Sequence, residues 1–297
     1  MAVSDLPETE KLHEDALGID VRPALDVAGG LLAGQQEAVR AVAGALPQLV
    51  AASEAMVHAI RGGGRLVYAA AGSSALMALA DAAELPGTYG LDLSQVRLFM
   101  AGGVPVNGSM PGGTEDDHSA GEQDAGAVTP SDLVIALTAS GTTPYPMAFA
   151  KKARSIGAKT ICIANNPDVP IFEFADVAIA LPTPPEVVAG STRMGAGTAQ
   201  KAALNIMSTL MGIGLGHVHD GMMVNLIADN AKLRERAAGI VCRIAGVDRA
   251  QAQRSLEKSN WAVKPAVLLA SGATSLDQAE NLLARTNGQL RAALQHI

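Results

Sequence analysis

The sequence predicts an α/β protein: a three-layer, doubly wound parallel sheet with a small helical bundle at the C-terminal end. Three observations carry this. Short apolar runs at residues 65–71, 96–100, 132–138, 160–164 and 177–181 have strand character. Helical patterns fit between several of them, notably over 145–156, and strands that alternate with helices imply a parallel sheet covered on both faces. From 247 onward the pattern changes to short amphipathic segments separated by Asn260, Gly272 and Gly288, which reads as a bundle.

Ahead of the first strand, Ala, Val and Leu recur at helical spacing over 25–60, predicting helices that end at Gly62-Gly63-Gly64. The first strand runs into Gly72-Ser73-Ser74 and an Ala-, Leu- and Met-rich helix that reaches Glu84. Residues 101–117 are rich in Gly, Pro and Asn and predict a long irregular loop, a kind that usually carries function. A long helical stretch is expected from Gly190 toward Arg243. The expected organisation is an N-terminal helical segment (1–60) packed on an α/β domain (61–245), followed by a helical domain (246–297).

Composition narrows the function. The chain has 297 residues, a net charge of −7 and no dense Lys/Arg run, so neither a nucleic acid nor a membrane surface is an expected partner. Aromatic residues are only 3%, which leaves few platforms for stacking. Cys162 and Cys242 lie far apart with no C-x-x-C spacing and read as reduced core residues. The N-terminal stretch has no basic-then-apolar leader, and the apolar stretch 204–227 is interrupted by Asn205, Ser208, Thr209, His217, His219 and Asp220. A membrane span is therefore not expected, and a cytoplasmic location is. No His/Cys spacing suggests a metal, and no turn matches the dinucleotide or Walker A fingerprints, so no cofactor is expected.

The chemistry concentrates at strand ends. Gly72-Ser73-Ser74 and the segment Thr138-Ala139-Ser140-Gly141-Thr142-Thr143-Pro144 each follow a strand and open a helix. Free N–H groups and the positive helix end favour an anion there, and the hydroxyls can donate to phosphate oxygens. Simple capping would explain either turn alone; two on adjacent strands predict one phosphate pocket. A third turn, with Glu186, Ser191 and Thr192, also precedes a helix. Glu84 stands on an Ala-rich helix, and Glu115 lies beside Asp116 and Asp117, which suit a helix N-terminus.

These residues, with Thr9-Glu10, Asp81-Ala82-Ala83-Glu84, Thr114-Glu115-Asp116-Asp117, Ala139-Ser140-Gly141-Thr142-Thr143-Pro144-Tyr145, Gly190-Ser191-Thr192-Arg193 and Asn230-Ala231-Lys232-Leu233, resemble the sugar isomerase (SIS) domain proteins over nearly the whole chain. Among those they are most similar to the N-acetylmuramic acid 6-phosphate etherases. The resemblance implies a five-stranded sheet, a C-terminal bundle similar to ubiquitin-associated domains, a homodimer, and a phosphorylated amino sugar as substrate. It implies cleavage of a D-lactyl ether with Glu84 and Glu115 as catalytic residues, Glu84 matching the proton donor and Glu115 the C2 base. By the same likeness Ser73, Ser74, Thr138, Ser140 and Thr143 cup the 6-phosphate, and Glu186, Ser191 and Thr192 line the sugar. Where etherases usually read G-x-G-T-S-G-R, this chain has Ala70, Ala75 and Leu76 in place of two glycines and the Arg. That departure keeps open the same chemistry on a different sugar-phosphate ether and a noncatalytic phosphosugar sensor; an aldose–ketose isomerase is the third alternative, since the resemblance to SIS proteins implies it equally and that reaction also starts with C2 deprotonation.

Overall fold

The computed structural model describes residues 7–297. In chain order the first elements are α1 (Ala24–Ala41), α2 (Leu46–Arg61), β1 (Leu66–Ala70), α3 (Gly72–Ala82), α4 (Leu85–Tyr89) and β2 (Val96–Met100). Then come α5 (His118–Ala125), β3 (Leu133–Thr138), α6 (Pro144–Ile156), β4 (Lys159–Ala164), β5 (Val177–Ala180) and α7 (Gly195–Gly214). A hairpin of β6 (Val218–His219) and β7 (Met222–Met223) precedes α8 (Ala231–Ala245), α9 (Arg249–Lys258), α10 (Val263–Ser271), α11 (Leu276–Arg285) and α12 (Leu290–Leu294). The chain forms two compact units, one of Ser94–Ser208 with the chain up to Ala83, the other of Glu84–Leu93 with Thr209–Ile297.

The first unit is the expected α/β fold. Five strands pair in parallel in the order β2-β1-β3-β4-β5. Every residue of β1 and β3 is buried, because helices cover both faces; such strands read as continuous apolar runs rather than alternating ones. Val67, Ala69, Val134, Ala136, Cys162 and Ala164 turn to the face where Phe149, Ala150 and Ala153 of α6 pack. Residues on the alternate pleat turn to the other face, where the Tyr68 hydroxyl donates to Asp81 of α3 at 2.9 Å. Ser208 of α7 donates to the other Asp81 oxygen at 3.0 Å, so one buried carboxylate ties β1, α3 and α7 together. Of the N-terminal segment, α2 packs on β1, β3 and β5, whereas α1 buries only Ala38; residues 1–6 of that segment lie outside the described residues.

A second clamp fixes β1 against β3 at their amino ends. Asp132, 3% exposed, accepts from the Arg65 backbone N–H (2.9 Å), from Arg65 Nε (2.9 Å) and Nη2 (2.6 Å), and from the N–H (2.8 Å) and hydroxyl (2.9 Å) of Thr129. Burial pushes the carboxyl up, but the Arg65 and Thr129 bonds outweigh it and hold it at about 2.

Three expectations are corrected. The first helix stops at Ala82, and Glu84 becomes the residue ahead of the five-residue α4. Pro86 has no N–H to return to Ala82 and its ring disfavours a continuing helix. The stretch 190–243 is not one helix: the turn of β6–β7 places Asp220 and Gly221 at φ of 46° and 74°, and α8 restarts where the Asn230 side chain accepts from Leu233 N–H at 3.0 Å. The helical unit also begins before 246, since Ala237, Ala238 and Val241 of α8 share one core with Ala252, Leu256 and Val267.

The Asp132 clamp has a testable pH signature. Its folded pKa of about 2 lies below the ordinary 3.8, so its stabilisation is complete above about pH 4 and is lost as pH falls through 2. Asp132→Asn should therefore melt well below the parent protein at neutral pH, with the gap closing toward pH 2. A gap independent of pH would contradict the clamp.

Candidate functional site

A cavity of about 220 Å³ opens at the carboxyl ends of β1 and β3, the edge where parallel sheets bind ligands. One wall is Ala71, Gly72, Ser73 and Ser74 at the start of α3; the facing wall is Thr138, Ala139, Ser140 and Thr143 at the start of α6. Glu115, Thr192, Gly190, Thr9 and Glu10 complete it. Because β1 and β3 are hydrogen-bonded neighbours, the two hydroxyl-bearing turns share this cavity.

The hydroxyls are not used as helix caps. α3 is preceded by Ala71 and α6 by Thr143, and neither makes a side-chain capping bond. Instead Thr138 Oγ1 lies 2.7 Å from Thr143 Oγ1, and the Ser140 hydroxyl is 3.4 Å from both. The N–H groups of Gly141 and Thr142 donate to Thr138 Oγ1 (3.3 Å) and Ser140 Oγ (3.2 Å). This geometry needs glycine at 141, where φ is 80° and a Cβ would fall 2.3 Å from Val169. The first N–H groups of an α-helix have no partner within it, so two helix N-termini and a hydroxyl cluster converge on one space.

Two asparagines that follow β4 hold this turn, and sequence reasoning did not single them out. Asn165 N–H donates to Ala139 O at 3.0 Å, while its side chain donates to Leu181 O (3.4 Å) and Ala196 O (3.3 Å) and accepts from Gln200 (2.8 Å). Asn166 Nδ2 lies within reach of Ala139 O (3.1 Å), Ser140 O (3.4 Å) and Thr9 Oγ1 (3.2 Å). Their only sequence signal is position, a polar pair at a strand's carboxyl end.

Glu115, in the 3₁₀ turn Thr114–Asp116, is exposed and lines the cavity. Its Oε2 sits 3.3 Å from where a Cβ on Gly72 would be, above the N-terminus of α3. Asp117 caps α5, accepting from Ala120 N–H at 2.9 Å. Glu84 is exposed and belongs to the other compact unit, and it is not among the residues lining this cavity.

Glu186 and Ser191, expected to line the sugar, do not line this cavity either. Glu186 is 5% exposed, and its oxygens accept from the N–H groups of Gly195 (2.8 Å) and Ala196 (2.9 Å). A buried carboxylate at a helix N-terminus satisfies donors that would otherwise be orphaned, and Glu186 seats α7 in this way. Ser191 is held in the preceding turn, with its N–H on Val188 O at 3.0 Å, and Thr192 takes the cavity position.

Among the described residues, the cavity lining contains two carboxylates, Glu10 and Glu115, and no Lys, Arg or His. Among the described residues, no group of three or more His, Cys, Asp and Glu is arranged to hold a metal ion, and no helix is long and apolar enough to cross a membrane.

Residues 113–210 match the SIS domain family model. Curated N-acetylmuramic acid 6-phosphate etherases are similar over almost the full length. The Deinococcus radiodurans protein is 38% identical over 98% of this chain and 96% of its own. The Geobacillus thermodenitrificans protein is 37% identical over 97% and 98%, and the Symbiobacterium thermophilum protein 40% identical over 88% and 87%. A solved Bacteroides fragilis structure, described as a candidate phosphosugar isomerase involved in capsule formation, shares the fold with a TM-score of 0.50 and 22% identity, covering 64% of this chain and 90% of that one.

Glu186→Ala should leave two N–H groups unpaired and lower the unfolding free energy by about 1–3 kcal/mol, read as a lower urea midpoint, with little change in the binding of inorganic phosphate. Unchanged stability with lost sugar binding would return Glu186 to the sugar-lining role.

Proposed function

Since the chain belongs to the family of N-acetylmuramic acid 6-phosphate etherases, we propose that it is a carbon–oxygen lyase that splits the D-lactyl ether of N-acetylmuramic acid 6-phosphate into N-acetylglucosamine 6-phosphate and D-lactate. The observation that carries the reading is the convergence of two hydroxyl-bearing helix starts and Glu115 on one cavity. The helix N-termini and the hydroxyls of Ser73, Ser74, Thr138, Ser140 and Thr143 receive the 6-phosphate. Thr192 faces the sugar from the turn ahead of α7.

The chemistry needs a base and an acid. In the open-chain sugar the C1 aldehyde acidifies the C2 proton. Glu115 removes that proton, the C3–O bond breaks with its electron pair going to the lactyl oxygen, and an acid protonates the departing lactate. Water then adds at C3 of the unsaturated aldehyde while C2 regains a proton. The net change is one ether and one water converted to two hydroxyl compounds. Glu84 takes the acid role on its place in the Asp81-Ala82-Ala83-Glu84 motif. A cytoplasmic homodimer is the matching assembly, expected to show a solution mass twice that of the chain.

One observation supports a second reading. Leu76 is half-buried in α3 at the position where the resemblance to the etherases implies an Arg, and a leucine cannot hold a carboxylate bidentately. That change favours the same elimination on a related ether whose leaving group differs from lactate.

The test is release of D-lactate from N-acetylmuramic acid 6-phosphate by the purified protein. A positioned acid or base contributes about 10²–10⁴-fold in rate, so Glu84→Gln and Glu115→Gln should each lower kcat by that order with sugar-phosphate binding retained. Unchanged turnover in either variant removes that residue from the mechanism. Ketose formation without lactate would identify an isomerase, and saturable binding without any product a sensor.

A further inference from the structure

The proposed chemistry gives Glu115 a task but leaves the second carboxylate of the cavity without one. Glu10 ends the 3₁₀ turn Glu8–Glu10 and lines the cavity beside Gly190, where φ is 72° and a Cβ would sit 3.9 Å from Glu10 Oε2. Its neighbour Thr9 is 1% exposed, and the Thr9 hydroxyl accepts from Asn166 Nδ2 at 3.2 Å. The same Asn166 amide reaches Ala139 O and Ser140 O of the α6 turn. One side chain thus pins the segment bearing Glu10 to the turn bearing the hydroxyls.

An ionised carboxylate only accepts hydrogen bonds, so Glu10 cannot hold a phosphate and repels one that strays toward it. It suits the opposite end of a ligand whose anion lies on the helix N-termini. A phosphorylated amino sugar has that polarity, with a dianionic end and, along its carbon chain, hydroxyl and amide N–H donors. We propose that Glu10 is a substrate-contacting, specificity-determining residue that accepts hydrogen bonds from the sugar's hydroxyl or amide N–H groups, and that Thr9 and Asn166 are the residues that position it. The proposal rests on the reading of the cavity as a phosphosugar site. Glu10 also sets the direction of binding, because a ligand lying the other way would bring phosphate against carboxylate.

Two probes separate the ends of the site: inorganic phosphate reports the hydroxyl-lined end alone, and N-acetylglucosamine 6-phosphate reports both. By calorimetric titration, Glu10→Ala should weaken the sugar phosphate by about tenfold to a hundredfold, the range for a hydrogen bond to a charged group. The same variant should bind inorganic phosphate as well as the parent or more tightly, having lost a nearby like charge. Retained phosphate binding also shows that the variant is folded. Thr9→Val should shift the ratio of the two affinities in the same direction, and Thr9→Ser should restore it; a merely structural role for Thr9 would weaken both probes together. Equal loss of both probes in Glu10→Ala, or an unchanged sugar-phosphate affinity, would overturn the proposal while leaving the phosphosugar reading intact. A parent protein that binds neither probe would overturn both.

Discussion

Parallel strands deliver all their carboxyl ends to one edge, and the order β2-β1-β3-β4-β5 makes β1 and β3 neighbours. The helices that follow them, α3 and α6, therefore begin side by side, and the turns between strand and helix share a cavity. The remaining features of the site depend on that adjacency. The Arg65–Asp132 pair fixes the two strands at the far edge, and the ladder from Leu66↔Leu133 to Ala70↔Leu137 carries the register to the ligand edge.

The proposed anion site needs no basic residue among the described lining residues, because helix N-termini supply partial positive charge without a titratable group. Hydroxyls add donors that rotate to suit either protonation state of a phosphate. The supporting bonds come from elsewhere in the fold: Asn165 and Asn166 hold the α6 turn from β4, and Glu186 seats α7 so that Thr192 reaches the cavity. Such fixed, shared supports keep the donors in place before the ligand arrives, which limits the ordering cost of binding.

The strands and the two hydroxyl turns were legible because their signals are local: buried parallel strands are continuous apolar runs, and a Ser/Thr-rich turn between strand and helix can be read residue by residue. The features that were missed are long-range. Nothing local showed that the Glu186 carboxylate would accept from N–H groups nine and ten residues ahead. The link between Asn166 and Thr9 spans 157 residues and leaves no periodic trace. The break between α3 and α4 was signalled by Pro86, but the alanines up to Glu84 masked it. The hairpin after α7 was hidden for a different reason: its strands are only two residues each, too short for an alternating pattern, and the break shows only in the left-handed backbone at Gly216, Asp220 and Gly221.

A double-substitution cycle tests most directly whether the two turns form one phosphate site. Ser73→Ala removes a hydroxyl from the α3 turn and Ser140→Ala one from the α6 turn, and the affinity for N-acetylglucosamine 6-phosphate is measured in the parent, both single variants and the pair. Residues that grip one phosphate are expected to couple by about 0.5–3 kcal/mol, so that the double variant departs from the sum of the single losses. Strictly additive losses, or no loss from either turn, would contradict a shared site.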